Sequence, residues 1–322
     1  MRALVTGGAG FIGSHLVDRL VAEGHTVTVI DPAEPADPFP EGTEHIRITL
    51  QAAAKAGTID ANGKRRPFDT VYHLAGPVGP VGVLERAGTI VTDIVGMAEV
   101  LQRFTCPVVY VSTSEVYGLQ AQPVDESRPA VIGAAASARA EYAVGKLAGE
   151  MMLRNSYRMD VRIIRPFNVA GPRQMPTGGF VIPRFVEQAL AGEPLTVYGD
   201  GAAVRAFTHV YDIVDGIIRA GAKAGARGRV FNLGNNENAC SILELAAEVA
   251  NHPALIVNVS GIDLVDPRTL HGESFAGAPD KTPLTAEAYS RLNWSPTRDR
   301  ATVITDYIEW RLVHYGLYRI GA

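Results

Sequence analysis

Tyr142 and Lys146 stand four positions apart in Tyr142-Ala143-Val144-Gly145-Lys146, a spacing that places a phenol and an ammonium on one face of a helix. A tyrosine ordinarily titrates near ~10, so an adjacent cation is the natural means of making its phenolate available as a base. Such a pair also arises by chance on surface helices, and its context decides what it means. Shortly before it comes Ser112-Thr113-Ser114-Glu115-Val116-Tyr117-Gly118, at the end of an apolar run over 108–112. In an open α/β sheet, a polar cluster at the carboxyl end of a strand borders the ligand crevice. The bland alternative is a turn whose hydroxyls satisfy nearby backbone groups.

A second chemistry lies at the amino terminus, in Thr6-Gly7-Gly8-Ala9-Gly10-Phe11-Ile12-Gly13. The loop follows an apolar strand and opens a helical pattern, the context that turns glycine spacing into a dinucleotide site. Gly7 permits the tight turn, Gly10 lets backbone N–H groups approach a pyrophosphate, and Gly13 lets helix and strand pack closely. The helix terminus, with Phe11 and Ile12 in its first turn, adds aligned donors and partial positive charge. Asp31 lies eighteen positions beyond Gly13, just after the second strand. A carboxylate there accepts from ribose hydroxyls and repels a 2′-phosphate, which predicts NAD rather than NADP.

These side chains need a scaffold, and the apolar pattern supplies one. Short runs at 3–6, 26–30, 46–50, 70–74, 108–112 and 161–165 alternate with helical periods at 11–23, 87–104 and 142–157, as in a doubly wound parallel sheet. The expectation is an α/β Rossmann fold over 1–165 with a return segment at 206–235. A smaller substrate-binding lobe is expected over 166–205 and 236–322, with a helix near 180–191. The polar stretch 52–67 has no assignment.

The bulk properties restrict the partners. A length of 322 residues is ample for one large domain and a smaller lobe. A net charge of −4 gives no reason to expect nucleic acid or an anionic membrane. Cys106 and Cys240 lie far apart without ligand spacing, which fits a reducing cytoplasm, no disulfide framework and no metal. Met1 leads directly into a strand, leaving no room for a signal peptide. No apolar stretch approaches the ~18–20 residues of a membrane span.

Taken together, the glycine loop, His73-Leu74-Ala75-Gly76, the serine/threonine strand end, Tyr142 with Lys146, and Arg165-Pro166-Phe167-Asn168 resemble the extended short-chain dehydrogenases that epimerise, dehydrate or decarboxylate nucleotide sugars. The resemblance covers almost the whole chain, with the motifs in the family's order. It implies that Thr113 hydrogen-bonds the sugar 4-hydroxyl, Tyr142 is the base, Lys146 holds the nicotinamide ribose and Asn168 contacts the substrate. Leu74 and Ala75 would line the cofactor. Gly171-Pro172-Arg173 and Leu195-Thr196-Val197-Tyr198-Gly199 are similar to nucleotide-binding parts of the group, and a homodimer through the helices near 87–104 and 142–157 is implied.

Within that group, Ser114 stands where the dehydratases carry an acid, and Glu115 is a residue that plain 4-epimerases generally lack. Thr113-Ser114-Glu115 resembles the UDP-glucuronate decarboxylases, the UDP-xylose synthases among them. Arg139 stands three residues before Tyr142, as in those enzymes, and Arg205 matches an arginine that meets the charged groups of the substrate. A hexuronate adds a carboxylate to the pyrophosphate and so calls for more cationic forks; the bland reading of each arginine is a surface ion pair. The resemblance therefore implies oxidation at C4, loss of CO₂ from the resulting β-keto acid and a UDP-pentose product. Glu115 would either crowd the substrate carboxylate or relay a proton. The alternatives are a UDP-glucuronate 4-epimerase and a catalytically silent NAD-binding scaffold. The chain also departs from the family. Asp93 replaces a common Asn, and the usual acidic residue near the adenine is not evident around 45–51. His271-Gly272-Glu273-Ser274-Phe275 and Pro279-Asp280-Lys281 replace an Arg/Lys-rich substrate motif.

Overall fold

Along a strand, successive side chains go to opposite faces. Leu4, Val71, Val108 and Tyr110 enter one core, while Ala3, Val5, Tyr72, Val109 and Val111 enter another. Strands buried on both faces read as continuous apolar runs, which is why these segments are legible in sequence. The computed structural model describes residues 1–59, 68–77, 79–133, 137–156, 159–255, 259–266 and 280–315. Its strands are β1 (Arg2–Thr6), β2 (Thr26–Ile30), β3 (Glu44–Ile46), β4 (Thr70–His73), β5 (Val108–Val111), β6 (Val161–Pro166) and β7 (Val169–Ala170), followed by β8 (Leu195–Tyr198), β9 (Val204–Ala206), β10 (Thr208–His209), β11 (Val230–Leu233), β12 (Ala239–Ser241) and β13 (Ile262–Val265). A seven-stranded parallel sheet runs β11-β6-β5-β4-β1-β2-β3. The order reverses at β1, which pairs with β2 on one side and β4 on the other. Such a reversal opens a crevice beyond the carboxyl ends of the strands.

The helices are α1 (Phe11–Ala22), α2 (Leu50–Lys55), α3 (Gly79–Glu85), α4 (Ile90–Leu101), α5 (Ala138–Arg154), α6 (Val181–Ala191), α7 (Val210–Ala222), α8 (Ile242–Ala250) and α9 (Arg300–Tyr315). Leu16 and Leu20 of α1 and Ile213 and Ile217 of α7 cover one face of the sheet; Ile90, Ile94 and Leu101 of α4 and Leu153 of α5 cover the other. A third core joins Phe185, Val197, Phe207, Leu245, Val303 and Tyr307.

Several boundaries differ from those predicted. The third strand covers Glu44–Ile46 instead of 46–50, because Thr49 caps α2, its hydroxyl accepting from the Ala52 N–H at 3.2 Å. The start of the unassigned 52–67 stretch is thus helical; residues 60–67 lie outside the described residues. The helix predicted from 87 starts at Ile90, after Gly88 with φ +88°. The helix carrying Tyr142 begins earlier than 142, at Ala138, where the Ser137 hydroxyl accepts from the Ala140 N–H at 3.2 Å. The return to the sheet is β11, which pairs with β6. Residues 288–294 join the sheet core instead of the third one: Ala288, Leu292 and Trp294 pack there, and the Trp294 indole donates to the Asp212 carbonyl at 2.8 Å.

Candidate active site

The glycine loop connects β1 to α1 beside the carboxyl end of β4. Gly7 has φ +75°, and a Cβ there would lie 2.6 Å from the Ala75 nitrogen. At Gly13 a Cβ would fall 2.0 Å from the Gly7 carbonyl oxygen, so helix and loop touch through backbone alone. Gly10 is the N-cap of α1 and offers no side-chain cap, leaving the first-turn N–H groups of Phe11, Ile12 and Gly13 for an outside acceptor. Asp31, at the end of β2, accepts from the Ala9 N–H at 3.0 Å and the Ala33 N–H at 2.9 Å. Its carboxylate is therefore fixed against the loop. Leu74 is tied to β1 by its N–H on the Thr6 carbonyl at 2.9 Å. An uncapped helix start, a backbone-only approach and an oriented carboxylate together fit a dinucleotide.

Across the crevice, α5 presents Tyr142 and Lys146, both buried. The Lys146 ammonium donates to the Val111 carbonyl at 3.0 Å and lies over the Tyr110 ring at 5.2 Å. Gly76, with φ +152°, brings the end of β4 close to it: a Cβ at Gly76 would sit 3.6 Å from Nζ. Burial raises the Tyr142 phenol well above its usual value and the Glu115 charge adds to this, while its hydrogen bond with Thr113 acts the other way. Burial thus outweighs the lowering expected from Lys146, whose ammonium is engaged by Val111 and Tyr110. His73, stacked on Tyr110 at 5.5 Å and hydrogen-bonded to Thr6 at 2.7 Å, is pushed down to about 3 by burial and by Lys146. It stays neutral.

Thr113 is the extended residue before a single 3₁₀ turn, Ser114–Tyr117, and its hydroxyl accepts from the Glu115 N–H at 3.2 Å. This turn buries Ser114 and aims Glu115 at a group of cations. Arg139, from the first turn of α5, reaches Glu115 at 3.5 Å, and the Lys281 ammonium forms a second ion pair with the same carboxylate. Arg205 lies alongside: β9 and the segment at Lys281 are laced together by the Ala206 N–H on the Lys281 carbonyl and the Lys281 N–H on the Val204 carbonyl, each at 3.1 Å. Burial raises Glu115, but Lys281, Arg139 and Arg205 more than offset it and hold the carboxyl below its usual range. Burial lowers Lys281 to about 8 against the pull of Glu115, and it lowers Arg205 to about 10, with Arg139 adding repulsion.

Asn168, at φ +34°, uses its amide to bridge the Ala206 and Lys281 carbonyls, both at 3.3 Å. It fastens the cationic side of the crevice. The Tyr198 ring is covered by the Arg184 guanidinium at 4.3 Å. Arg173 stands apart from the cluster, held by Asp18 at 2.6 Å and Asp37 at 2.7 Å. Asp93 faces Arg86 at 3.6 Å near the surface. Lys281 is the residue that sequence reasoning passed over, having taken its segment as the loss of a basic motif. Only its type was visible, because its contact with Glu115 depends on the pairing to β9. Residues 271–275 lie outside the described residues.

The model of the NAD dependent epimerase/dehydratase family matches residues 3–234. The chain belongs to this family. It is an NAD-dependent nucleotide-sugar enzyme. A UDP-N-acetyl-alpha-D-glucosaminuronate decarboxylase of Bacillus cytotoxicus is 32% identical over 323 residues, 96% of this chain and 97% of that one. UDP-glucuronic acid decarboxylase 2 of Arabidopsis thaliana is 39% identical over 264 residues, 77% of this chain, which spans 56% of the plant protein. Among solved structures, an epimerase of Methanothermobacter thermautotrophicus superposes with a TM-score of 0.84 at 26% identity, covering 100% of this chain and 95% of that one. Among the described residues, no group of three or more His, Cys, Asp or Glu side chains could hold a metal, and no helix is long and apolar enough to cross a membrane.

Proposed function

We propose that this enzyme decarboxylates a UDP-linked hexuronate, UDP-glucuronate in the first instance, through a 4-keto sugar to a UDP-pentose, UDP-xylose or its 4-keto form. The observation that carries the reading is the pairing of Arg139 and Lys281 with Glu115, in the turn that follows Thr113, with Arg205 on the strand laced to Lys281. A neutral hexose gives such a group nothing to bind beyond its pyrophosphate, whereas a hexuronate adds a carboxylate. The two relatives whose names specify a decarboxylase of a UDP-hexuronate support the same conclusion.

Tyr142, whose phenol burial keeps protonated in the cofactor-free chain, would take the proton of the sugar 4-hydroxyl as a phenolate favoured by Lys146 and by the positive charge that oxidised NAD brings when bound. Thr113 holds the oxygen left behind. NAD, when bound, supplies a reversible hydride acceptor for C4. Once C4 is a ketone, the carboxylate stands β to it, and its loss as CO₂ leaves an enolate; a proton added at C5 gives the 4-keto pentose, and return of the hydride to C4 would give UDP-xylose. Thr113 and Tyr142 are placed to stabilise that oxyanion where its charge develops. Of the two roles open to Glu115, the ionised one fits its surroundings. Three cations keep it deprotonated, so it acts as a fixed anion that shares Lys281 and Arg139 with the incoming carboxylate and crowds it. Asn168 keeps these cations in register, and Arg173 and Tyr198 belong to the nucleotide side of the reading. Two copies would pair through α4 and α5, where Val144 and Met151 are exposed.

The test is to incubate the enzyme with NAD⁺ and UDP-glucuronate, and in parallel with UDP-N-acetylglucosaminuronate, and to weigh the products. A product lighter by CO₂ is expected. A product of unchanged mass that co-elutes with UDP-galacturonate would make the enzyme a 4-epimerase, and NAD binding without turnover would make it a scaffold. Glu115→Gln is expected to slow CO₂ loss more than the first oxidation, so that NADH accumulates.

A further inference from the structure

We propose that Glu150, clamped by Arg165 one helical turn beyond Lys146, is the positioning residue that keeps the buried Lys146 ammonium charged. The proposal rests on the assignment of Tyr142 and Lys146 to catalysis and is independent of whether CO₂ is lost.

Tyr142, Lys146 and Glu150 recur every fourth residue of α5 and so form a row on one helix face. Lys146 is 3% exposed and Glu150 2%. An ammonium so deeply buried sheds its proton unless an anion faces it. The contacts of Lys146, the Val111 carbonyl and the Tyr110 ring, orient it without carrying charge. The other titratable neighbours are neutral: His73 from β4, Tyr110 from β5 and Tyr142 on α5 itself. From α4, which packs along α5, come buried Ile90, Ile94 and Met97, whereas Asp93 faces Arg86 and Glu99 is exposed. Among the described residues, Glu150 is the carboxylate that opposes the loss of charge, raising Lys146 against a burial that brings it down to about 8.

Glu150 can do this because its own rotamer is locked. Arg165, on β6, donates to it twice, from Nε at 3.0 Å and from Nη2 at 2.6 Å. The guanidinium lies over the Tyr117 ring at 4.8 Å, and the Tyr117 hydroxyl donates to Asn232 on β11 at 2.7 Å. Two strands and the Thr113 turn thus fix one carboxylate behind the lysine. The pair is two-sided: Arg165 neutralises Glu150 for the core, and Lys146 is the group that gains from its position.

The experiment follows single-turnover NADH formation from UDP-glucuronate against pH in the NAD-loaded full chain. It compares the wild type, Glu150→Gln and the double variant Glu150→Gln/Arg165→Met. The double variant removes the Glu150–Arg165 pair together, so that no guanidinium is left buried without its partner, and keeps the test informative if the single variant misfolds. In both variants the alkaline limb of the rate is expected to move down by about one to three pH units, with KM for the sugar nucleotide unchanged. A uniform loss at every pH with the limb in its wild-type place would overturn the proposal and leave the pair a structural tie. Wild-type turnover by Lys146→Met would overturn the underlying assignment of Lys146, and this outcome is distinguishable because it requires no change at Glu150.

Discussion

The Lys281 ammonium is seated on the Glu115 carboxylate, joining the carboxyl-terminal part of the chain to the turn that carries Thr113. Lys281 is buried and Glu115 half-buried, with Arg139 3.5 Å from the same carboxylate. A site built this way holds its cations around an internal anion until a substrate anion competes for them.

Lys281→Met should therefore weaken UDP-glucuronate far more than UDP-glucose. Removing one member of a desolvated charge pair typically costs about 2–5 kcal/mol, which sets the scale for the uronate. Calorimetric titration of both sugar nucleotides into the NAD-loaded enzyme reads the difference. Equal losses for the two would make Lys281 a structural partner of Glu115 alone.

Activity and stability should part company at alkaline pH. Lys146 and Lys281 are both brought down to about 8 by burial, so turnover is expected to fall as pH rises through that value. An unfolded lysine titrates near 10.5. Between the two values the unfolded chain binds more protons than the folded one, and these two groups make stability rise with pH. Glu115 acts at the other end. Its folded value is lowered, so its contribution is present above the ordinary glutamate range and is lost as pH falls through the lowered value. Parallel measurements of kcat/KM and of the urea midpoint would show the separation; a joint collapse at alkaline pH would count against it.

Gly13→Ala and Gly10→Ala should differ in kind. A methyl at Gly13 meets the Gly7 carbonyl at 2.0 Å and the Gly8 Cα at 2.8 Å, both backbone. A clash of this sort costs about 1–3 kcal/mol of stability. At Gly10 the Gly7 carbonyl at 3.3 Å is the near contact, so that variant should fold almost normally and lose NAD affinity. Thermal unfolding with and without NAD distinguishes them, and equal destabilisation of the two would contradict the packing argument.

The sheet, the glycine loop with Asp31, and the Tyr142/Lys146 helix were all legible in the amino-acid order, because each is a local pattern. Burial on both faces writes continuous apolar runs into β1, β4 and β5, the glycines sit at fixed offsets from a strand end, and four-residue spacing joins two side chains on one helix. The same order placed Thr113, Glu115 and Arg139 near the reaction centre. It did not foretell that burial raises the Tyr142 phenol, that Arg173 is held by Asp18 and Asp37, or that residues 288–294 return to the sheet core. Nor did it bring Lys281 to Glu115 or Arg165 to Glu150. Those relations join residues from different strands, turns and loops. The sequence supplied a lysine, a glutamate and an arginine; the pairing of β9 with the segment at Lys281 and the packing of α5 on β6 decided which charges face one another in a low-dielectric interior. There Coulomb forces act strongly only over the few ångströms that folding sets.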